Sequence, residues 1–177
     1  IEFIDDKSKL LELKVLDKLN ELGLEYFIYE HPPLRTVEES KALRGEMHGG
    51  HTKNLFLRDK KKKNYLVTVN ENQKIDLKFL ESELSSGRLS FGSPERLSQF
   101  LGVKPGAVSP LALLNDKHND VSFFIDHNLL SENILNFHPL VNHLTVSIKV
   151  TDFKYFLKSQ NKFYNEIYFW FFVNIFN

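Results

Sequence analysis

Five segments of the chain carry the residue spacing or the capping residues that are typical of helices. In the first, apolar residues fall three or four positions apart, as on one face of a helix: Leu11, Val15, Leu19 and Leu22. Thr36 and Glu39 have the spacing of a capping box, and Ser93 precedes a proline at the first position of another helix. Asp76 and Asp152 open the remaining two predicted helices.

Apolar, strand-forming runs alternate with these helices. They occupy residues 26–29, 55–58, 65–69, 89–91, 121–125 and 144–148. The runs at 55–58 and 65–69 predict a hairpin whose polar tip, residues 59–64, contains four consecutive lysines. Because helices and strands are interspersed, the pattern predicts an α/β (α+β) fold. We expect a single domain with a mixed, partly antiparallel sheet flanked by helices.

The predicted domain occupies residues 10–160, after an N-terminal segment of residues 1–9. Residues 161–177 form an aromatic C-terminal tail, and its apolar run at 167–176 is shorter than the roughly 20 residues that cross a bilayer. Two interpretations of this run stay open. It is either a final strand or an irregular end, or else a patch that binds a partner or a membrane surface.

Composition narrows the class of protein. With 177 residues, of which 42% are hydrophobic, the chain is long enough for one well-packed domain. Lys plus Arg equal Asp plus Glu at 23 each, which argues against a protein that wraps a long nucleic acid but not against contact with one end of an RNA. The absence of cysteine excludes disulfides and thiolate catalysis. The acidic start does not resemble a signal peptide, so we expect a cytoplasmic protein.

Three places along the chain have residues suited to chemistry. Lys53 and Asn54 lie where a glycine-containing loop enters a strand, and a lysine there can donate to a carbonyl or phosphate oxygen. A small-residue loop, in which backbone amides can approach a ligand and stabilise developing negative charge, comprises Gly106, Ala107, Val108, Ser109 and Pro110. His138 precedes a proline, and a histidine fixed there can hold a hydrogen bond or transfer a proton near neutral pH.

Each of these residues also has a purely structural interpretation. Lys53 is also compatible with an ordinary solvated surface charge, and the loop with a simple tight turn. His138 is also compatible with a hydrogen-bonded structural histidine. His31, His48 and His51 lack the HExxH spacing or the clustered carboxylates of a zinc site, so no metal site is expected. Motifs of phosphate-binding loops, dinucleotide-binding folds and serine hydrolases are also missing from the sequence.

Four blocks in order together resemble one known family. They are residues 50–57 (GHTKNLFL), 89–97 (LSFGSPERL), 101–111 (LGVKPGAVSPL) and 137–142 (FHPLVN) with Thr145. The chain resembles the YbaK-like aminoacyl-tRNA deacylase family, which is related to the editing insertion of bacterial prolyl-tRNA synthetase. It is most similar to the free-standing branch often called PrdX or ProXp-ala. The resemblance extends over residues 10–157. The chain departs from the family's pattern in the basic hairpin tip and in the aromatic tail.

The resemblance implies a trans-editing enzyme. Such an enzyme hydrolyses the ester of alanyl-tRNA(Pro) and releases alanine and tRNA(Pro). By the same resemblance Lys53 is the essential catalytic residue, and the substrate pocket is lined by Asn54, by the loop from Gly106 to Pro110 and by His138. It implies no metal or organic cofactor. The expected partners are the acceptor end of mischarged tRNA(Pro) and prolyl-tRNA synthetase, while the oligomeric state stays open.

Three alternatives remain at the level of sequence. The same family also fits removal of cysteine from tRNA(Pro). A non-catalytic tRNA-binding or regulatory module on the same scaffold would bind without turnover. Because Ile1 is not methionine, the chain is also compatible with a fragment of a synthetase or of a larger fusion.

Overall fold

The computed structural model describes residues 6–33, 36–43, 45 and 47–169. Its α-helices are α1 (Asp6–Glu21), α2 (Val37–Leu43), α3 (Leu77–Glu83), α4 (Pro94–Leu101) and α5 (Val150–Ser159). Short 3₁₀ segments lie at Pro110–Asn115 and His127–Ser131. The strands are β1 (Tyr26–Glu30), β2 (Gly50–Arg58), β3 (Asn64–Asn70), β4 (Ser90–Phe91), β5 (Val121–Asp126), β6 (Ile134–Phe137), β7 (Leu144–Lys149) and β8 (Tyr164–Ile167).

Capping side chains begin the helices as the sequence predicts. The Thr36 hydroxyl accepts a hydrogen bond from the Glu39 N–H at 3.1 Å. Asp76 accepts from the Lys78 N–H, and Ser93 accepts from the Arg96 N–H. These bonds satisfy backbone donors that have no partner inside a helix. Helix α5 differs, because it begins at Val150 without a side-chain cap rather than at Asp152.

All eight described strands join one mixed sheet. Its order is β1-β7-β6-β2-β3-β5-β8, with β4 paired to β2 beside this path. Four pairings are antiparallel (β1 with β7, β6 with β7, β2 with β3 and with β4), and three are parallel (β2 with β6, β3 with β5, β5 with β8). The predicted α/β class and the partly antiparallel sheet are therefore confirmed.

The sheet separates two hydrophobic cores because side chains alternate between its faces. In β3, Leu66 belongs to the larger core, which also contains residues of α1, α4 and α5. Its neighbours Tyr65, Val67 and Val69 belong to the smaller core with Leu80 of α3. Strand β2, with Phe56 in one core and Leu57 in the other, is thereby clamped from both sides.

The structure adds elements that the pattern did not predict. Strand β6 is not among the predicted strands, and β2 begins at Gly50, five residues before the predicted start, so Lys53 lies inside a strand rather than at its entrance. Strand β8 falls within the predicted tail and pairs with β5, which makes residues 164–167 part of the sheet. The rest of the tail, from residue 170 onward, lies outside the described residues.

Candidate active site

A gap in strand pairing opens the sheet along one edge of β2. Gly50 and His51 pair in parallel with Leu135 and Asn136 of β6, and β2 next meets a strand on that edge at β4. Between these two short contacts, the described residues 52–56 of β2 pair with β3 alone. This edge of β2 is therefore not covered by a neighbouring strand.

Lys53 lies at the start of this gap. Its Nζ donates to the Gln73 carbonyl at 2.7 Å, which fixes the ammonium while leaving two of its protons for other acceptors. Burial lowers the pKa of Lys53 below its usual value, although the carboxylates of Glu38 and Glu71 favour the charged form. The group is thus a partly desolvated cation, whose attraction for a polar ligand is stronger than that of a solvated lysine.

The amide of Asn54 is oriented by two hydroxyl groups. Its Oδ1 accepts from the Thr68 hydroxyl at 2.7 Å, and its Nδ2 donates to Thr52 Oγ1 at 3.4 Å. The Thr52 hydroxyl in turn donates to the Asn136 carbonyl at 3.0 Å. This chain of bonds ties the functional part of β2 to both β3 and β6.

The loop that starts at Gly106 approaches β2 from across the gap. Gly106 has φ +89°, a left-handed conformation that glycine adopts without steric cost. The Ala107 N–H donates to the Lys104 carbonyl at 3.1 Å and so closes the turn. Ser109 is fully buried and caps the following 3₁₀ segment by accepting from the Leu111 N–H at 3.1 Å, and Pro110 is the first residue of that segment.

His138 directly follows β6. Its ring can only donate to the Leu144 carbonyl, 2.7 Å from Nδ1, because a carbonyl has no hydrogen to give. In the neutral ring Nε2 then carries no proton and is an acceptor. Burial lowers the pKa of His138, and the nearby His31, whose ring centre is 5.9 Å away, lowers it further. The imidazole is therefore held in its neutral form.

These elements enclose a single cleft of about 220 Å³. It is lined by Thr36, Val37, Ser40, Thr52, Lys53, Asn54, Glu71, Gly106, Val108 and His138. Lys53, the loop and His138 are far apart in sequence, yet they meet here. Ala107, Ser109 and Pro110 do not line this cleft: Ala107 borders a groove on the other side of the loop, and the other two are buried behind it.

Several lining residues were missed by sequence reasoning. Glu71, which follows β3 directly, and Thr36 and Ser40 of the α2 region all reach the cleft. A recess of about 40 Å³ adjoins it and adds His31 and Thr145, whose hydroxyl lies 2.9 Å from His31 Nε2. The available signal for Glu71 was its position, since a polar residue right after an apolar strand lies at the edge of the sheet.

Two structural features are absent from the described residues. No group of three or more His, Cys, Asp or Glu side chains is arranged to hold a metal ion in that part of the chain. None of the helices described there is long and apolar enough to cross a membrane.

Fold and site together define a class: a single mixed α/β domain with an exposed cleft that combines a cation, a backbone turn and a neutral imidazole. Residues 31–156 match the family described as aminoacyl-tRNA editing domain. The match spans more than half of the chain, and the chain therefore belongs to this family. The family predicted from the four sequence blocks, and aminoacyl-tRNA deacylase as its class of enzyme, are thereby confirmed.

Relatives of known name extend the comparison. The chain is 38% identical over 154 residues to prolyl-tRNA editing protein ProX of Acetoanaerobium sticklandii. The aligned region covers 86% of this chain and 94% of that protein. It is 36% identical to prolyl-tRNA synthetase associated domain-containing protein 1 of Mus musculus, over 84% of this chain and 90% of that one.

Solved structures share the fold. A crystal structure provisionally described as that of a trans-editing enzyme for prolyl tRNA synthetase superposes with a TM-score of 0.66. The superposition covers 93% of this chain and 98% of that one at 19% identity. Hypothetical protein APE2540 superposes with a TM-score of 0.68 at 18% identity, over 86% and 97% of the two chains. At these identities the similarity shows a common architecture.

Proposed function

We propose that this protein removes alanine from mischarged tRNA(Pro) by hydrolysing the ester that joins the amino acid to the terminal adenosine. The observation that carries the proposal is the convergence of Lys53, the Gly106–Val108 turn and His138 on one cleft. The names of its relatives, a prolyl-tRNA editing protein and a prolyl-tRNA synthetase associated protein, support tRNA(Pro) as the RNA and the synthetase as a partner.

An aminoacyl ester is already an activated bond, so positioning and charge stabilisation are the main contributions required of the protein. Water adds to the carbonyl carbon, the carbon–oxygen bond to the ribose breaks, and the ribose oxygen leaves with a proton. In this scheme Lys53 is the catalytic residue. Its ammonium orients the ester and stabilises the negative charge that develops on the carbonyl oxygen.

The turn supplies backbone donors for the same oxygen. The Ala107 N–H is used within the turn. Gly106 and Val108 line the cleft, and the N–H of neither residue donates to a backbone carbonyl of the described residues. We assign these two amides the role of an oxyanion hole, because donors held in a rigid turn need no reorganisation during the reaction. Ala107, Ser109 and Pro110 then act indirectly, by holding the turn in shape.

His138 and Asn54 line the substrate pocket in this proposal. The unprotonated Nε2 of His138 is an acceptor for the α-ammonium of the substrate or for the attacking water. The adjoining recess of about 40 Å³ is bordered by His31, His138 and Thr145, among others. Its volume exceeds what one water needs, and these side chains offer the water several polar partners. It is therefore a suitable source of the hydrolytic water.

Selectivity for alanine over proline follows from exclusion. The cleft holds about 220 Å³ in all, and the branched side chains of Val37 and Val108 form part of its wall. A rigid wall rejects a larger ring by steric clash, whereas discrimination between substrates that differ by one small group is worth only about 1–3 kcal/mol. We therefore expect strong rejection of proline and weaker discrimination between alanine and cysteine.

The test is a comparison of three substrates with the wild-type protein and Lys53→Ala. We expect wild type to deacylate alanyl-tRNA(Pro) fastest, cysteinyl-tRNA(Pro) more slowly and prolyl-tRNA(Pro) not measurably. Lys53→Ala is expected to lower kcat/KM for the alanyl ester at least about 100-fold, a typical loss when one charge-stabilising donor is removed. The matched control is Lys158→Ala, an exposed lysine of α5.

Circular dichroism and thermal unfolding check that both variants fold. A folded Lys53→Ala protein with wild-type turnover would overturn the role of Lys53. A faster reaction on cysteinyl-tRNA(Pro) would change the substrate, and tight tRNA binding without turnover of any ester would favour the non-catalytic module.

A further inference from the structure

We propose that the tip of the β2–β3 hairpin binds the phosphate backbone of an RNA duplex, specifically the acceptor stem of the tRNA whose 3′ end enters the cleft. The identity of the RNA rests on the proposed function. The hairpin tip, defined here as residues 59–64, is separate from the cleft, because none of its residues lines it.

The first observation is a local concentration of unpaired positive charge. Lys60, Lys61, Lys62 and Lys63 are all exposed. Their ammonium groups take part in none of the ion pairs formed within the described part of the chain. The chain as a whole is neutral, with 23 basic and 23 acidic residues, so the charge of the tip is a local feature and not part of an overall basic excess. A duplex, with its closely spaced phosphates, is the complementary ligand.

The second observation is that the tip is held in a fixed shape. The Arg96 side chain of α4 donates to the Lys62 carbonyl and to Asn64 Oδ1, each at 2.6 Å. Within the tip, the Lys63 N–H donates to Asp59 Oδ1 at 3.0 Å. Because this backbone is already held by hydrogen bonds, the tip loses less conformational entropy on binding a ligand than a flexible loop would.

The third observation is the position of the tip relative to the cleft. Lys53 lies in β2, which ends at Arg58, and the tip begins at the next residue, Asp59, six positions from Lys53. At about 3.4 Å per residue this places the tip about 20 Å from the catalytic lysine. One RNA can reach both points if its single-stranded 3′ end occupies the cleft and its duplex begins near the tip.

Contacts of this kind position a nucleic acid without reading its sequence. Double-stranded RNA is recognised mainly through its shape, its phosphates and its 2′-hydroxyls. The tip is therefore expected to raise affinity for the whole tRNA and to leave the chemical step in the cleft unchanged.

The experiment compares K60Q/K61Q/K63Q with a control of equal charge change, K149Q/K154Q/K158Q, whose lysines lie on or beside α5. Lys62 is left in place because its backbone carbonyl anchors Arg96. Three measurements are made: deacylation of alanyl-tRNA(Pro), hydrolysis of alanyl-adenosine, and binding of uncharged tRNA(Pro) at several salt concentrations.

The tip variant is expected to lose about tenfold in kcat/KM on alanyl-tRNA(Pro), through KM, and nothing on alanyl-adenosine. The salt dependence of its tRNA binding becomes shallower by about 0.9 for each lost phosphate contact, by analogy with B-form duplexes. The control variant is expected to behave as wild type.

Unchanged tRNA binding and KM in the tip variant, or an equal loss in the control, would overturn the proposal. So would tip-dependent binding to phosphatidylserine vesicles without any effect on RNA. If wild type hydrolyses no ester, the proposed function fails. The binding measurement with uncharged tRNA then still decides whether the tip holds RNA.

Discussion

At the scale of single residues, burial changes the chemistry of the cleft. Lys53 and His138 are both basic groups whose pKa values are lowered by desolvation, and each is anchored by one bond to a backbone carbonyl. The carboxylates of Glu38 and Glu71 favour the charged form of Lys53. In contrast, His31 and His143 disfavour the charged form of His138. The cleft thus combines a cation with a neutral imidazole, two groups that are able to stabilise charge and to accept a proton near neutral pH.

His138 makes stability depend on pH in a predictable direction. As pH falls below about 6.5, the ordinary histidine value, the unfolded chain takes up a proton at this position before the folded protein does. The free energy of unfolding therefore decreases towards acid over the interval down to the lowered pKa. We expect urea denaturation of His138→Gln to show a weaker loss of stability between pH 7 and pH 5 than wild type.

The exposed His118 provides the control for this experiment. His118→Gln is expected to retain the wild-type pH dependence. If the His138→Gln and wild-type profiles were parallel, His138 would not be held neutral by the fold.

At the scale of elements, β2 is the part of the molecule that makes the site. It pairs with three strands and carries Lys53 and Asn54 across the gap between β6 and β4. Its entry is determined by close contact with β6: a Cβ added at Gly49, which has φ +97°, would lie 2.7 Å from the Ile134 carbonyl. The Asn136 side chain closes the same junction by donating to the His48 and Gly50 carbonyls at 2.9 and 3.3 Å.

Gly49→Ala is expected to push the start of β2 away from Ile134 of β6. The substitution combines a left-handed conformation with a backbone clash, so we expect a loss of about 1–3 kcal/mol in the free energy of unfolding. Deacylation should also decrease, because Lys53 and Asn54 follow on the same strand. Chemical denaturation and kcat/KM on alanyl-tRNA(Pro) measure the two effects.

Gly87→Ala is the matched control, since an added Cβ there meets no atom within 4 Å. It is expected to be neutral or stabilising by up to about 1 kcal/mol. Equal effects of the two substitutions would show that the junction at Gly49 is not under steric constraint.

At the scale of the whole molecule, the sheet divides two cores and its last strand closes the smaller one. Ile167 of β8 is fully buried among Leu57, Val67 and Leu80. The domain predicted to end at residue 160 therefore needs the first part of the predicted tail for its packing. For the run beyond residue 169, which lies outside the described residues, both interpretations stay open: a final strand or irregular end, and a patch that binds a partner or a membrane surface.

Ile167→Ala is expected to lower the free energy of unfolding by about 2–5 kcal/mol, because it leaves a cavity in a closed core. Phe163, on the same segment but 86% exposed, serves as the control. Phe163→Ala is expected to change stability by less than about 0.5 kcal/mol. Thermal or urea unfolding distinguishes the two, and a small effect at Ile167 would place β8 outside the cooperative fold.

Local signals in the sequence determined many of the helices and strands of this protein. Capping residues indicated the starts of α2, α3 and α4. An apolar run beside a polar hairpin tip predicted β3, and alternation of apolar residues predicted β7, because these features depend on neighbours only a few positions away. The four sequence blocks sufficed to identify the family.

Only the tertiary structure decided what depends on distant partners. Strand β6 is only four residues long and pairs with β2 and β7, and the equally short β8 pairs with β5. The same is true of the site: Glu71 and Ser40 line the cleft, and His31 lines the adjoining recess, because the fold brings all three beside β2. Long-range pairing and desolvation have no signature in a short stretch of sequence, since both are properties of residues brought together by the fold.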